Sequence, residues 1–228
     1  MGRSMCPECH HYLGILDLIP LVSFFFLRGR CRYCQKKIAL EYFGVELVCG
    51  ILAFLFSLRY LDGMLGAGME GPLLFLMRDL LALGVLVFIF LYDLKYYLIL
   101  DKITLPSIVF FFFVNIFLGF SWGDLLLGAA IAGGFFALQF IISRGRWIGG
   151  GDIRMGVLMG VMLGWKGTLV ALALSYWTGA LFGILLIALG KKQLSSAVPF
   201  GTFLSAATIM VLLWESRFLE LWGQFIAG

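Results

Sequence analysis

Apolar positions dominate the chain and gather in blocks. Seven apolar segments follow one another, at about residues 45–60, 73–92, 104–120, 124–142, 153–165, 168–189 and 200–221. A helix needs roughly 20 apolar residues to cross a hydrocarbon layer of about 30 Å, and most of the segments approach that length. The fifth is shorter and reaches only about 20 Å at the helical rise. It reads as a short crossing, with Trp165-Lys166-Gly167 as a tight interfacial turn behind it. Ahead of residue 44 the pattern changes. Residues 13–27 are apolar but hold Asp17 and Pro20, so they read as a folded loop touching the membrane surface. The pattern predicts an all-α fold, a polytopic membrane helix bundle of about seven transmembrane helices over residues 44–228. A cysteine-rich module precedes it over residues 1–43.

Composition sharpens this reading. Of 228 residues 62% are hydrophobic and only 13% charged, where a soluble domain carries about a quarter charged residues. Too little polar surface remains to cover a soluble globule, and the chain's solvent is a lipid bilayer. The net charge of +4 is no nucleic-acid signature. Where the charges lie is informative, because cytoplasmic loops collect Lys and Arg. With the cysteine module in the cytoplasm and the segments alternating, thirteen of the 17 Lys and Arg residues fall on that side. Lys191 and Lys192 are among them, and the acidic stretch 62–70 falls outside.

Four of the five cysteines form two C-x2-C pairs, Cys6-Pro-Glu-Cys9 and Cys31-Arg-Tyr-Cys34. This is zinc-ribbon spacing, in which each pair turns two thiolates toward one point and four complete a tetrahedral site. A reducing compartment favours metal over disulfides. Two disulfides or free thiols are the alternatives. A zinc ion here is structural, since protein fills all four positions. His10 and His11 read as spectators, and Cys49 as a small core residue.

Ionisable residues in or beside a span are costly and are functional candidates by default. Asp93 ends the second segment and Asp152 begins the fifth, directly after Gly149, Gly150 and Gly151. The charge-derived topology puts both at one membrane depth. Two carboxylates at one site share a proton, which suits aspartyl catalysis. Asp152, at a helix N-terminus, is expected to act as the base, and Asp93, at a helix C-terminus, to hold the proton. Plainer readings stand beside this one: Asp93 as an interfacial residue paired with Lys95, and Asp152 as a helix cap. Asp101 reads as a cap for the helix near Thr104, or as support for the site. Arg78 and Asp79, adjacent in a span, are expected to pair with other helices, and Glu46 to make either a structural hydrogen bond or a substrate contact.

These residues together resemble the prepilin peptidase, or type IV leader peptidase, family. The resemblance covers the two cysteine pairs, Glu41 to Glu46, Asp93 with Asp101-Lys102-Ile103-Thr104-Leu105-Pro106, and the GxGD motif Gly149 to Asp152. It implies an intramembrane aspartic endopeptidase that removes the short basic leader of prepilins and pseudopilins at the cytoplasmic face of the bacterial inner membrane. Cleavage would follow a Gly, just before an apolar helix. Asp93 and Asp152 would be the catalytic pair, and S-adenosylmethionine the donor for a second, N-methylating activity. Such substrates belong to type IV pili, type II secretion or DNA uptake. Family members usually carry a further span ahead of the cysteine module; its loss would bear on methyl transfer and leave both aspartates in place. Leu100 and Arg154 stand where Pro and Lys are common. The competing reading is a non-enzymatic transport or assembly component with a zinc-ribbon docking module. A presenilin-type protease would share the GxGD motif alone.

Overall fold

The structure is a computed structural model that describes residues 4–66, 70–189 and 199–227, with side chains described outside 62–70 and up to residue 214. Lys191 and Lys192 lie outside the described residues, as do the side chains of the 62–70 stretch. Among the described residues the chain is all-helical, and it divides into two compact units, residues 1–55 and 56–228.

A 3-10 turn, Ile15–Asp17, and a short helix α1 (Val22–Phe26) precede α2 (Leu40–Gly66). Then come α3 (Glu70–Tyr96), α4 (Asp101–Phe117), α5 (Trp122–Ser143), α6 (Gly150–Ala188) and α7 (Phe200–Ala227). Four helices, α2, α3, α5 and α6, are long and apolar enough to cross a membrane. The 17 residues of α4 reach about 25 Å, and α7 holds a shorter apolar run, Phe200–Trp214.

All seven predicted segments are helical, with two differences. The fifth and sixth run together as α6, broken by a single residue, Gly164, at φ 65° and ψ −179°. Only glycine takes this conformation without strain, so one residue makes the turn predicted at 165–167 and helix resumes at Trp165. The last segment bends at Trp214, φ −120° and ψ 25°, just where the sequence first brings in charge.

The first half of α6 lies in the core. Met155, Leu158, Met159, Val161, Met162 and Leu163 are all buried, packed among α4, α5 and α7. Small residues allow this approach, as they do between membrane helices generally. A Cβ on Gly160 would stand 2.2 Å from the Ala129 backbone nitrogen, an impossible distance.

A buried polar cluster ties this core together. Asn115 on α4 donates to the Val161 carbonyl at 2.6 Å. That carbonyl lies in the last turn before the Gly164 break, where a helix leaves acceptors to outside donors. The Asn115 side-chain oxygen accepts from Arg78 at 3.1 Å. Arg78 Nε also donates to the neighbouring Asp79 at 2.8 Å, and Tyr60 donates to the other Asp79 oxygen at 2.6 Å. The two charged residues thus pair with each other as well as across helices. The arginine side chain is long enough to bridge the roughly 100° between adjacent positions on a helix.

In the first unit, Glu46 makes a structural hydrogen bond, accepting from the Leu21 backbone N–H at 2.8 Å. Asp17 accepts from Arg32 at 2.7 Å and from the Gly14 backbone at 3.1 Å. The apolar loop over residues 13–27 carries outward side chains, with Ile15 86% and Phe26 84% exposed.

Candidate active site and metal centre

Asp93 stands one turn before the end of α3 and is buried. Its carboxylate reaches the first turn of α7, where the Thr202 backbone N–H donates to Oδ2 at 2.9 Å. The Gly201 N–H is directed at the same group. The contact is close: a Cβ on Gly201 would lie 2.9 Å from Asp93 Oδ2 and 2.8 Å from Ile99 Cδ1. Asp152 sits in the first turn of α6, and its Oδ2 accepts the Gly149 backbone N–H at 3.1 Å. Gly149 is the cap residue, with Asp152 three positions inside the helix. A Cβ on Gly151 would meet Ile99 Cβ at 3.0 Å, so this glycine lets α6 close on the loop before α4.

Both carboxylates face a cleft of about 730 Å³, whose wall also includes Ile99, Asp101, Trp147, Arg154 and Phe200. They lie near enough to act on one another electrostatically. The expectation that opposite helix ends distinguish them does not survive the tertiary contacts. Asp93 does end α3, but its carboxylate rests on the N-terminus of α7, so each carboxylate meets the positive end of a helix. Lys95 does not pair with Asp93; its ammonium lies 5.6 Å from the centre of the Tyr96 ring.

Asp101 is not a cap either. Leu100 holds that position, and its carbonyl accepts from Thr104 at 2.9 Å. Asp101 instead pairs with Arg154 across the cleft rim. Sequence reasoning missed the Gly201–Thr202 turn. Its signal is the run Pro199-Phe200-Gly201-Thr202, a proline and a small residue opening an apolar helix.

The four cysteine sulfurs of the first unit lie within 4.8 Å of one another. Cys6 and Cys34 sulfurs are 3.9 Å apart, and a tetrahedral zinc site with bonds of about 2.3 Å has sulfurs about 3.8 Å apart. The donor set therefore fits a metal ion. The two pairs repeat one backbone turn. Cys6 N–H donates to His11 and His10 N–H to Cys6, while Cys31 N–H donates to Lys36 and Gln35 N–H to Cys31. His10 and Gln35 take matching left-handed conformations, φ 54° and 59°. The backbone N–H groups of Cys9 and Glu8 hold the Cys6 thiol down at about 7. For Cys34 the Lys36 N–H acts in the same sense, but desolvation and the three neighbouring sulfurs outweigh it and push it up to about 11. His11 lies against the Tyr33 ring at 3.6 Å between centres.

Residues 1–60 match the bacterial peptidase A24 N-terminal domain, and residues 80–184 match the type IV leader peptidase family. The chain is 36% identical over 219 residues to the prepilin leader peptidase/N-methyltransferase of Aeromonas hydrophila, covering 93% of this chain and 71% of that protein. The chain belongs to the type IV leader peptidase family. The protein of the same name from Stutzerimonas stutzeri is 30% identical over 99% of this chain and 76% of its own length. That from Bacillus subtilis is 28% identical, over 99% of this chain and 87% of its own. No solved structure matches. The family's second matched region contains both cleft aspartates, and its first contains all four clustered cysteines.

Proposed function

We propose that this chain is a membrane-embedded aspartic endopeptidase that removes the leader of prepilins or pseudopilins, with Asp93 and Asp152 as its catalytic pair. One observation carries the reading. Two carboxylates from separate helices share a cleft, and among the described residues each is held on backbone N–H groups and neither is paired with a cation. Such a pair holds one proton between its members. One carboxylate takes a proton from water as the water oxygen attacks the scissile carbonyl. The other gives its proton to the carbonyl oxygen. Collapse of the tetrahedral adduct then breaks the C–N bond, and a proton from the pair goes to the leaving amine. The two carboxyls act as one unit, and neither is the fixed base.

The cleft lies at the cytoplasmic face of the inner membrane in this reading, supported by the clustering of Lys and Arg on one side of the predicted spans. Residues 1–43 hold a structural zinc ion through Cys6, Cys9, Cys31 and Cys34, and residues 44–228 form the peptidase. Zinc supplies cross-linking of the two turns and no chemistry at the cleft. The proposal of N-methylation with S-adenosylmethionine rests on the relatives' names alone; among the described residues no side-chain cluster selects that molecule.

Co-expression with a prepilin, followed by mass spectrometry of the mature N-terminus, tests the reading. Wild type is expected to remove the leader, and Asp93→Asn or Asp152→Asn to leave it on. Cleavage surviving either exchange would sink the catalytic pair. A mass gain of one methyl group on the new N-terminus reports the second activity. Metal analysis of the purified chain is expected to find one zinc ion, lost in Cys6→Ser.

A further inference from the structure

A second cavity of about 350 Å³ lies between α3, α6 and α7, and nearly all of its lining is apolar. Its walls follow helical spacing. On α7, Thr202, Ala206 and Met210 succeed one another every four residues, and on α6 Thr178, Phe182 and Leu186 do the same. Each set forms one stripe along its helix and runs about 12 Å. The cavity is thus a trough two helical turns long, with α3 on its third side. A helix about 10 Å across would occupy on the order of 900 Å³ over that length, so the trough accepts one face of a helix. Its floor at Ala206 is small, as close helix approach requires.

The trough adjoins the cleft at one end. Tyr97 and Pro199 line both. Thr202 lines the trough, and its backbone N–H holds Asp93. An apolar helix lying in the trough therefore brings its end to the carboxylate pair.

We propose that this trough is the docking site for the apolar helix that follows the cleavage point in the substrate, so that the helix's seat sets the position of the cut. The proposal rests on the peptidase reading, since the substrate there is cut just ahead of an apolar helix. A trough that merely took lipid chains would need no wall in common with the cleft.

The test uses the whole chain in lipid nanodiscs with two substrates. One is an intact prepilin; the other is a short soluble peptide across the same cleavage site, ending before the apolar helix. In Ala206→Phe the ratio of kcat/KM for prepilin to that for peptide is expected to fall about tenfold, carried by KM. An unchanged ratio overturns the docking site while leaving the peptidase intact. A wild type that cuts neither substrate removes the peptidase reading instead. If wild type cuts only the prepilin, KM for prepilin carries the same comparison. A second measurement does not depend on how Ala206→Phe folds. Phe182 is replaced by photoreactive benzoylphenylalanine in the Asp152→Asn chain, which is then irradiated with uncut prepilin. Adducts on the apolar helix support the proposal, and adducts on lipid alone or on the leader overturn it.

Discussion

Helix α3 carries two buried aspartates, and their surroundings differ in kind. Asp79 is closed: Arg78 takes one oxygen and Tyr60 the other, and Asn115 carries the network on to the core of α6. Asp93, fourteen residues on and about 21 Å along the helix, is held, among the described residues, by backbone N–H groups alone and opens on a cleft beside Asp152. A buried charge whose partners are complete has nothing left to offer a substrate. One held by neutral donors, next to a second carboxylate, keeps its capacity to move a proton. The same residue type on one helix is thus closed within a polar network at one end and open to a cleft at the other.

The comparison can be broken at either end. Exchange of Asp93 or Asp152 for Asn is expected to lower cleavage on the order of 10³-fold or more, with thermal melting within a few degrees of wild type. Exchange of Asp79 for Leu should do the reverse. It leaves Arg78 buried without its counter-charge, which costs about 3–5 kcal/mol of stability, read from denaturation in detergent. The molecules that remain folded should cleave within about threefold of wild type. Removing both partners, in Arg78→Met with Asp79→Leu, is expected to be milder than the single exchange. If Asp79→Leu abolished cleavage in well-folded protein, the division between closed and open centres would fail.

Smaller changes sharpen the open end. Gly201→Ala places a methyl group within 2.9 Å of Asp93 Oδ2. The carboxylate or the start of α7 must move, and misplacement on this scale is expected to lower kcat about 10- to 100-fold with little change in KM. Asp101→Asn breaks the rim pair with Arg154, whose side chains are 36% exposed for Arg154 and 48% for Asp101. Pairs so open to solvent contribute under about 1 kcal/mol, so melting and kcat/KM should stay close to wild type. A loss comparable to that at Asp93 would make Asp101 part of the chemistry.

Much of this was legible in the linear chain, for local reasons. Helical runs announce themselves by apolar length, and the cysteine turns by their two-residue spacing. Asp93 and Asp152 stood out because a charge at the edge of an apolar run is rare. The roles within the cleft were less legible. Asp93 looked like the end of α3 because sequence shows only a residue's own helix. The N–H that holds its carboxylate belongs to Thr202, 109 residues away in the first turn of α7. Asp101 looked like a cap for the same reason, since its partner Arg154 lies on another helix. The single-residue break at Gly164 was hidden among the many glycines of α6, only one of which takes a conformation closed to other residues.

By itself, the sequence determined that this chain lives in a membrane, that its helices fall in a set order, and that four thiols and two carboxylates are the candidates for binding metal and moving protons. Composition, spacing and burial cost decide those points, and they act along the chain. Only the tertiary structure decided that α7 supports Asp93, that Asp79 is closed and Asp93 open, and that an apolar trough shares a wall with the cleft. Those points depend on which helices pack together, and small residues far apart in sequence set that packing by how closely backbones can approach.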